Sequence, residues 1–117
     1  MLPNYCYYGE LESVTDGDTI EAWIDLGFGI WIFKKLRLLR IDTPELRGTS
    51  AEVKAKAYEA KAFVVEALSH NPYTLTIKTE SSDSFGRYLA EVYYTDEAGI
   101  QQNLSDRLLA EGLAVIY

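Results

Sequence analysis

The chain has 117 residues, of which 48% are hydrophobic and 25% are charged, and its formal net charge is −7. These values are typical of a soluble globular protein with a single core, and they exclude a low-complexity chain. The acidic balance argues against tight nonspecific binding of nucleic acid over a broad surface, because such surfaces are usually basic. An acidic protein can still have a local cationic site, because the electrostatic field at a surface depends on where the charges lie. We expect one domain over residues 1–117.

The cysteine content and the N-terminal segment bear on the cellular compartment. Cys6 is the single cysteine, so no intramolecular disulfide can form and nothing points to an oxidising environment. The first ten residues, MLPNYCYYGE, include no basic region and no long apolar run, which argues against a signal peptide and a membrane span. These features favour a cytoplasmic protein with no membrane contact and no protein partner that the sequence specifies.

The first third of the chain predicts three strands separated by turns. Residues 7–14 indicate a first, irregular strand, and the Asp-Gly pair at 16–17 indicates a turn. Residues 20–26 alternate between apolar and polar types, which is the period-2 pattern of a half-buried strand. After a turn at residues 27–29, a third strand is predicted over residues 30–41.

The pattern then changes to a helical period. Thr49 and Glu52 have capping-box spacing, and a series of small or apolar residues follows on one helical face. These residues are Val53, Ala57, Ala60, Val64 and Leu68. The Asn71-Pro72 pair is a helix stop signal. The sequence therefore predicts a helix that begins near Thr49 and ends before Asn71.

Strand patterns return in the last third of the chain. Residues 73–78 and 88–94 predict a fourth and a fifth strand, with a turn at 96–99. Ser105 predicts the N-cap of a short last helix, and Gly112 predicts its C′ residue. Five short strands, with a helix between the third and the fourth and a short C-terminal helix, predict a mainly β, α+β fold. The fold expected is the five-stranded OB barrel, whose surface commonly binds oligonucleotides.

Two turns carry acids that a structural interpretation leaves partly unexplained. DGDT at 16–19 indicates a hairpin turn, which accounts for the Asp-Gly pair but not for Asp18. IDTPE at 41–45 indicates a strand end, with a cap, a proline stop and a solvated glutamate. The functional alternative is a site for a hard cation, because Ca²⁺ and Mg²⁺ take carboxylate and carbonyl oxygens, here from Asp18, Asp42 and Thr43. That site requires the fold to bring the two turns together.

A third motif, DSFGR at 83–87, contains a glycine and an arginine. Its structural interpretation is a hairpin loop with Gly86 at a positive φ and with Arg87 as a surface charge. Its functional interpretation makes Arg87 a phosphate ligand, since the planar guanidinium fork matches two phosphate oxygens at once.

Taken together, in this order and on this strand pattern, the motifs resemble the staphylococcal nuclease family. The resemblance rests on DGDT, on R-x-x-x-x-DTPE and on D-x-x-GR around an alanine-rich helix, and GLA at 112–114 adds to it. It spans about residues 8–117. It implies an OB-fold, calcium-dependent phosphodiesterase that hydrolyses single-stranded DNA and RNA by in-line attack of water and leaves 3′-phosphate ends.

The resemblance also implies a role for each acid. Asp18 and Asp42 match the carboxylate ligands of the calcium ion, and Thr43 matches the residue whose carbonyl is a further ligand. Asp16 matches a nearby acid that supports the site, usually through water. Glu45 matches the acid that positions or deprotonates the attacking water.

Arginines and aromatic residues complete the set that the resemblance implies. Arg37 and Arg87 match the two arginines that grip the scissile phosphate, and Phe85 and Tyr117 are the predicted substrate-binding residues. The chain departs from the founding member of the family at Ser84 and Phe85, where that protein has a lysine and a tyrosine. One cation and one hydroxyl near the phosphate are therefore missing, which predicts weak substrate binding.

The stretch LRLLRIDTPE at 36–45 raises a question of geometry. Strict strand alternation puts Arg40 and Asp42 on one face and Arg37 on the other. The resemblance selects Arg37 as the phosphate ligand, so we expect a bulge or a sharp coil between Arg37 and Asp42. Arg40 is then expected to pair with an acid on the barrel surface.

Two other functions stay open as alternatives. A catalytically weak OB module that binds single strands would rely on basic grooves and stacking aromatics, and binding alone has no need of three acids beside a phosphate. An interaction or inhibitor domain on the same scaffold has no specific support in the sequence. For the enzyme, repulsion among Asp18, Asp42 and Glu45 is expected to destabilise the metal-free protein, so that Asp18→Asn raises its melting temperature.

Overall fold

The computed structural model describes residues 5–45, 50–82 and 88–117. Half of the residues in this part of the chain are in strands, and two helices accompany them. The elements in chain order are β1 (Cys6–Asp16), β2 (Thr19–Gly27), β3 (Ile30–Leu38), β4 (Ile41–Asp42), α1 (Ala51–Ser69), β5 (Leu75–Ser82), β6 (Tyr88–Thr95), β7 (Gln101–Asn103), α2 (Leu104–Ala110) and β8 (Val115–Ile116). Within the described residues, no helix is both long enough and apolar enough to cross a membrane.

Five strands close into a barrel. Neighbours in the order β3-β2-β1-β5-β6 pair antiparallel, and β3 then pairs with β6 in parallel. This closure places Leu36 opposite Tyr88 and Leu38 opposite Ala90. β7 extends the sheet beyond β6, while β4 and β8 form a separate two-stranded sheet. The predicted fold is confirmed as a mainly β, α+β protein with a five-stranded closed barrel and two helices, consistent with an OB fold.

Strand alternation fills the barrel interior with aliphatic side chains. In β2, Ile20, Ala22 and Ile24 are buried, and the residues between them face outward. The helix α1 packs on the barrel through residues three and four positions apart, which lie on one helical face. These residues are Ala57, Ala60, Val64 and Leu68. The barrel strands and both helices therefore contribute to one hydrophobic core.

The helix α1 begins one residue later than the sequence predicts. The predicted cap, Thr49, lies outside the described residues, and Ser50 is the N-cap, because its hydroxyl oxygen accepts a hydrogen bond from the Val53 N–H at 3.3 Å. Glu52 lies in the first turn, where an acid interacts favourably with the helix dipole. The sequence pattern could not choose between two adjacent hydroxyl residues.

The N-cap of α2 also differs from the predicted residue. Asn103 caps the helix, and its side-chain oxygen accepts a hydrogen bond from the Asp106 N–H at 3.0 Å. Ser105, the predicted cap, is buried, and its hydroxyl donates to the Leu39 carbonyl at 2.9 Å. Ser105 thereby ties α2 to the segment that follows β3. Gly112 has a φ of 71°, as the predicted C′ position requires.

Candidate active site

The DGDT motif forms the short turn between β1 and β2. The Asp18 N–H donates to the Asp16 Oδ1 at 3.1 Å, which helps to close the turn. Gly17 does not adopt a positive φ, so a glycine is needed there for space. A Cβ at Gly17 would lie 2.8 Å from the Ala60 Cβ and 3.0 Å from the Thr43 Oγ1. The turn therefore packs directly on α1 and on the residue that follows β4.

This packing brings the two acidic turns together. The Thr43 N–H donates to the Asp18 Oδ2 at 3.3 Å, and the Thr19 hydroxyl donates to the Asp18 Oδ1 at 3.1 Å. Both Asp18 and Thr43 are buried. The fold thus supplies the juxtaposition of the DGDT and DTPE motifs that a shared site requires.

Arg37 lies between the carboxylates of Asp18 and Asp42. Its Nη2 is 3.5 Å from the Asp18 Oδ2 and donates to the Asp42 Oδ1 at 3.2 Å. Its Nη1 donates to the carbonyls of Leu38 and Ile41, at 2.7 and 2.9 Å. Arg37 is only 9% exposed, and two carbonyls and two carboxylates fix its guanidinium.

A sharp turn after β3 explains why Arg37 and Asp42 meet. The predicted third strand ends early, because β3 stops at Leu38 and the separate strand β4 begins at Ile41. Between these strands Arg40 has a φ of 70°, in the left-handed region that residues other than glycine rarely occupy. The turn breaks the strand alternation, so the expected coil between Arg37 and Asp42 is confirmed.

Arg40 points away from the acidic turns. Its Nε donates to the Glu91 Oε2 at 2.6 Å, and its Nη2 donates to the Asp106 Oδ1 at 2.9 Å and to the Asn103 Oδ1 at 3.3 Å. The Arg40 carbonyl accepts a hydrogen bond from the Tyr117 N–H at 3.0 Å. The expected pairing with an acid on the barrel surface is confirmed, and Arg40 fastens the turn after β3 to β6 and α2.

The last strand brings Tyr117 to the site. β8 pairs with β4 in antiparallel register, with Val115 opposite Asp42. The Tyr117 ring is exposed, and its centroid lies 5.6 Å from the Arg37 Cζ, within the range of a cation–π contact. Its position beside Arg37 is compatible with the predicted role in substrate binding.

The two acids of the β1–β2 turn differ in their proton affinity. Burial and the neighbouring Asp18 carboxyl raise the pKa of Asp16 to about 6. Burial also works to raise the pKa of Asp18, but the hydrogen bond with Asp16, the Arg37 guanidinium and the Thr43 N–H together hold that pKa below its usual range. Asp18 is therefore ionised at neutral pH, which is the state required of a cation ligand.

Of the remaining predicted site residues, the structure describes Glu45 but not Phe85 or Arg87. Glu45 is an exposed side chain two residues beyond Thr43. Phe85 and Arg87 lie outside the described residues, as do Ser84 and Gly86, so their roles stay predictions. Sequence reasoning missed the packing role of Gly17, because the Asp-Gly pair indicated only a turn and the residues that Gly17 packs against are distant in the sequence.

The described residues offer a small set of hard oxygen ligands. Among them, no group of three or more His, Cys, Asp or Glu side chains could hold a metal ion. The carboxylates of Asp18 and Asp42 nevertheless converge on one nitrogen of Arg37, and the buried Thr43 Oγ1 has no hydrogen-bond partner in the part of the chain that the structure describes. Ca²⁺ binds carboxylate and carbonyl oxygens and accepts water as a ligand. Asp18, Asp42 and Thr43 are therefore the residues whose oxygens would be available to a hard divalent cation, and water would have to complete its coordination.

Fold and site together define an OB-fold protein in which two acidic turns and a buried arginine meet. The family model for staphylococcal nuclease homologues matches residues 35–117. That match covers more than half of the chain, and the chain belongs to the staphylococcal nuclease family. A comparison with curated proteins finds no match. The predicted family is confirmed, and with it a nuclease-family fold.

Proposed function

We propose that the protein is a calcium-dependent nuclease that hydrolyses phosphodiester bonds of single-stranded DNA and RNA and leaves 3′-phosphate ends. The observation that carries the proposal is the contact of Arg37 with both Asp18 and Asp42, in a chain of the staphylococcal nuclease family. Phosphoryl transfer depends on positioning and on neutralisation of charge. A fixed guanidinium beside two acids is suited to both tasks.

Asp18, Asp42 and the Thr43 carbonyl would hold the calcium ion. When bound, the ion would neutralise charge on the phosphoryl oxygens. Asp18 suits this role because it is ionised and because the Thr43 N–H fixes its orientation. The Asp42 side chain is 48% exposed, so solvent and substrate reach it. Asp16 would support Asp18 by accepting the hydrogen bond of the Asp18 N–H.

Arg37 and Arg87 would bind the scissile phosphate. The Arg37 Nη1 is held by two backbone carbonyls, so its guanidinium plane is fixed before substrate arrives. A donor that is already oriented loses little further entropy in the transition state. Arginines that contact the transferred phosphoryl group contribute roughly 10³ to 10⁵ in rate in other phosphoryl-transfer enzymes.

Glu45 would position the attacking water and accept its proton. Its side chain is exposed, so water has access to it, and it follows the ligand residue Thr43 by two positions. A general base must come within hydrogen-bond reach of the water in the substrate complex, and the geometry is commonly looser before substrate binds.

A catalytically weak OB module that binds single strands is the second candidate function. A set of exposed aromatic side chains on the outside of the barrel favours it, including Trp23, Trp31 and Phe33. Such a module would bind an oligonucleotide without cleaving it, in the presence or absence of calcium. It would have no use for the acids beside Arg37.

Cleavage of a labelled single strand in calcium and in chelator separates the two candidates. We expect cleavage of DNA and RNA with Ca²⁺, poor restoration by Mg²⁺ and no cleavage with excess chelator, because two carboxylates and a carbonyl suit the looser coordination of Ca²⁺. Binding without cleavage in calcium would favour the binding module. Undiminished cleavage in chelator would rule out the metal-dependent mechanism.

A second measurement does not depend on activity. Calcium should raise the melting temperature of the wild type, because a ligand that binds only the folded state stabilises it by mass action. Asp42→Asn should remove most of that shift. Asp25→Asn is the matched control, because the Asp25 Oδ1 accepts a hydrogen bond from the Gly27 N–H in a turn outside the site, and it should keep the shift.

A further inference from the structure

Three aromatic side chains lie exposed on the outer face of the β2–β3 hairpin. Trp23 and Phe33 are each 41% exposed, and Trp31 is 43% exposed. These three residues are named the aromatic face. Tyr8 on β1 and Phe28 in the hairpin turn are exposed as well. A cluster of exposed large apolar side chains on a soluble domain commonly marks a binding surface.

The strand register fixes the geometry of the aromatic face. Trp23 lies opposite Phe33, and their rings meet edge to face with centroids 5.3 Å apart. Trp31 lies two residues from Phe33 along β3, opposite Asp25. The alternate residues of β2 point into the core, as Ile24 does. The aromatic face is therefore not needed to fill the barrel.

The same side of β3 leads to the candidate active site. Residues at alternate positions of a strand share a face, with about 7 Å between successive side chains. On β3 this row contains Trp31, Phe33, Lys35 and Arg37. Thr19 lies opposite Arg37 and follows Asp18 directly. The row thus runs from the proposed phosphate position along the hairpin to the aromatic face.

We propose that the aromatic face is a stacking surface for the bases of a single strand whose phosphate is held at Arg37. The proposal rests on the proposed nuclease function for the position of the phosphate and for the single-stranded substrate, and it adds the surface that would bind the bases next to that phosphate. Exposed aromatic rings stack with bases of any sequence. The second and third strands of OB folds commonly form the face that holds oligonucleotides. A duplex keeps its bases inside the helix, so the surface selects single strands.

The charges around the aromatic face favour contact with bases over contact with phosphates. Lys35 is exposed within the row, and Glu21 lies opposite it on β2. Asp25 lies opposite Trp31, and its carboxylate holds the turn that follows β2. Because few phosphates would be neutralised, we expect affinity to fall only shallowly with salt, with a slope of roughly −1 to −2 in log affinity against log salt concentration.

Tryptophan fluorescence reports directly on this surface, because the two tryptophans of the chain, Trp23 and Trp31, both belong to the aromatic face. The full chain is kept in chelator, so that no calcium-dependent cleavage occurs, and is titrated with a labelled thymidine oligonucleotide. We expect saturable quenching that coincides with binding followed by anisotropy of the label. Binding without quenching, or no binding, would overturn the proposal.

Substitutions then test each ring. Trp31→Ala and Phe33→Ala should each weaken oligonucleotide binding by roughly 5- to 100-fold, the effect of removing one stacking ring. Trp31→Phe keeps a ring and should retain most of the affinity. Tyr58→Ala is the matched control, because Tyr58 is an exposed aromatic residue on α1, and it should bind as the wild type does. Wild-type affinity in both alanine variants, with unchanged melting temperatures, would overturn the proposal.

The remaining outcomes separate this inference from the proposed function. Binding with quenching but no cleavage in calcium would overturn the nuclease function and support the stacking surface. Cleavage of a long single strand with wild-type KM in both alanine variants would support the nuclease function and overturn the stacking surface. Self-association of the wild type that Trp31→Ala abolishes, without an effect on oligonucleotide affinity, would assign the aromatic face to a second copy of the chain.

Discussion

Asp16 and Asp18 belong to the same turn, yet their carboxylates have different surroundings. The Asp18 carboxylate faces Arg37 and accepts hydrogen bonds from the Thr43 N–H and the Thr19 hydroxyl. The Asp16 carboxyl is half-buried beside Asp18, and no arginine is among the causes that shift its pKa. The sequence alone predicted mutual repulsion among the acids of the site. The position of Arg37 changes that expectation for Asp18.

Asp18→Asn should lower the melting temperature of the metal-free protein. The folded pKa of Asp18 lies below its ordinary value of 3.8, so its charge stabilises the fold above that pH, and this contribution is lost as pH falls through the folded pKa. Loss of hydrogen bonds to a charged group costs roughly 1.5–3 kcal/mol. Thermal unfolding in chelator near neutral pH measures the effect. A raised melting temperature would mean that repulsion outweighs the contact with Arg37.

Asp16→Asn should have the opposite effect in the same protein. The pKa of Asp16 rises from 3.8 to about 6 on folding, so the folded state binds more protons between these values and loses stability as pH rises through that window. Asparagine cannot ionise, and it keeps an oxygen for the Asp18 N–H. Urea unfolding in chelator should show a gain in stability above pH 6 and none below pH 3.8. An equal change at both ends of the window would show that the charge of Asp16 is not the cause.

At the scale of elements, hydrophobic periodicity predicted the strands better than their ends. The alternation in β2 is strong because one face is buried. The end of β3 carries no such signal, since Leu38, Leu39 and Ile41 are all apolar, and only the family resemblance indicated the break. At α2, Ser105 and Asn103 are both good caps, and the tertiary bond from Ser105 to the Leu39 carbonyl decides between them.

The sequence predicted which residues belong to the candidate site, but it did not predict the contacts that hold them in place. Asp18, Arg37 and Asp42 could be named from the family motifs. No pattern in the sequence shows that backbone carbonyls hold Arg37, because that contact exists only after the chain turns at Arg40. Likewise, the packing of Gly17 depends on where α1 settles on the barrel.

Gly17→Ala tests whether the contact between α1 and the DGDT turn aligns the site. The new Cβ would approach the Ala60 Cβ to 2.8 Å and the Thr43 Oγ1 to 3.0 Å, so the turn must shift. Overpacking of this kind costs about 1–3 kcal/mol, and the cleavage rate should fall because Asp18 moves with the turn. Urea unfolding and calcium-dependent cleavage measure the two effects.

Ala60→Gly provides the matched rescue, because it removes the side chain that the new Cβ meets. In the double variant, part of the stability and of the cleavage rate that Gly17→Ala loses should return. The comparison allows for the cost of about 1 kcal/mol that a glycine within the helix carries by itself. Strictly additive losses in the double variant would show that contact with Ala60 does not constrain the turn.

At the scale of the whole molecule, barrel closure assembles the site from separate segments. Asp18 comes from the turn between β1 and β2, Arg37 from β3 and Asp42 from β4, and the parallel pairing of β3 with β6 fixes the turn that joins the last two. The pairing of β8 with β4 adds Tyr117. Because the net charge is −7, attraction of an anionic substrate must come from local cations such as Arg37.

The cleavage rates of Arg37→Lys and Arg40→Lys, measured with saturating calcium on labelled single-stranded DNA, test this assembly most directly. Arg37→Lys should lose most of kcat, by roughly 10³-fold or more, because an ammonium group cannot replace the planar guanidinium that two carbonyls and two carboxylates hold in position beside the phosphate. Arg40→Lys alters the outer network with Glu91, Asn103 and Asp106, and it should stay within several-fold of the wild type. Circular dichroism should show both variants folded at the assay temperature. An active Arg37→Lys beside an inactive Arg40→Lys would contradict the assignment of Arg37 to the nuclease site.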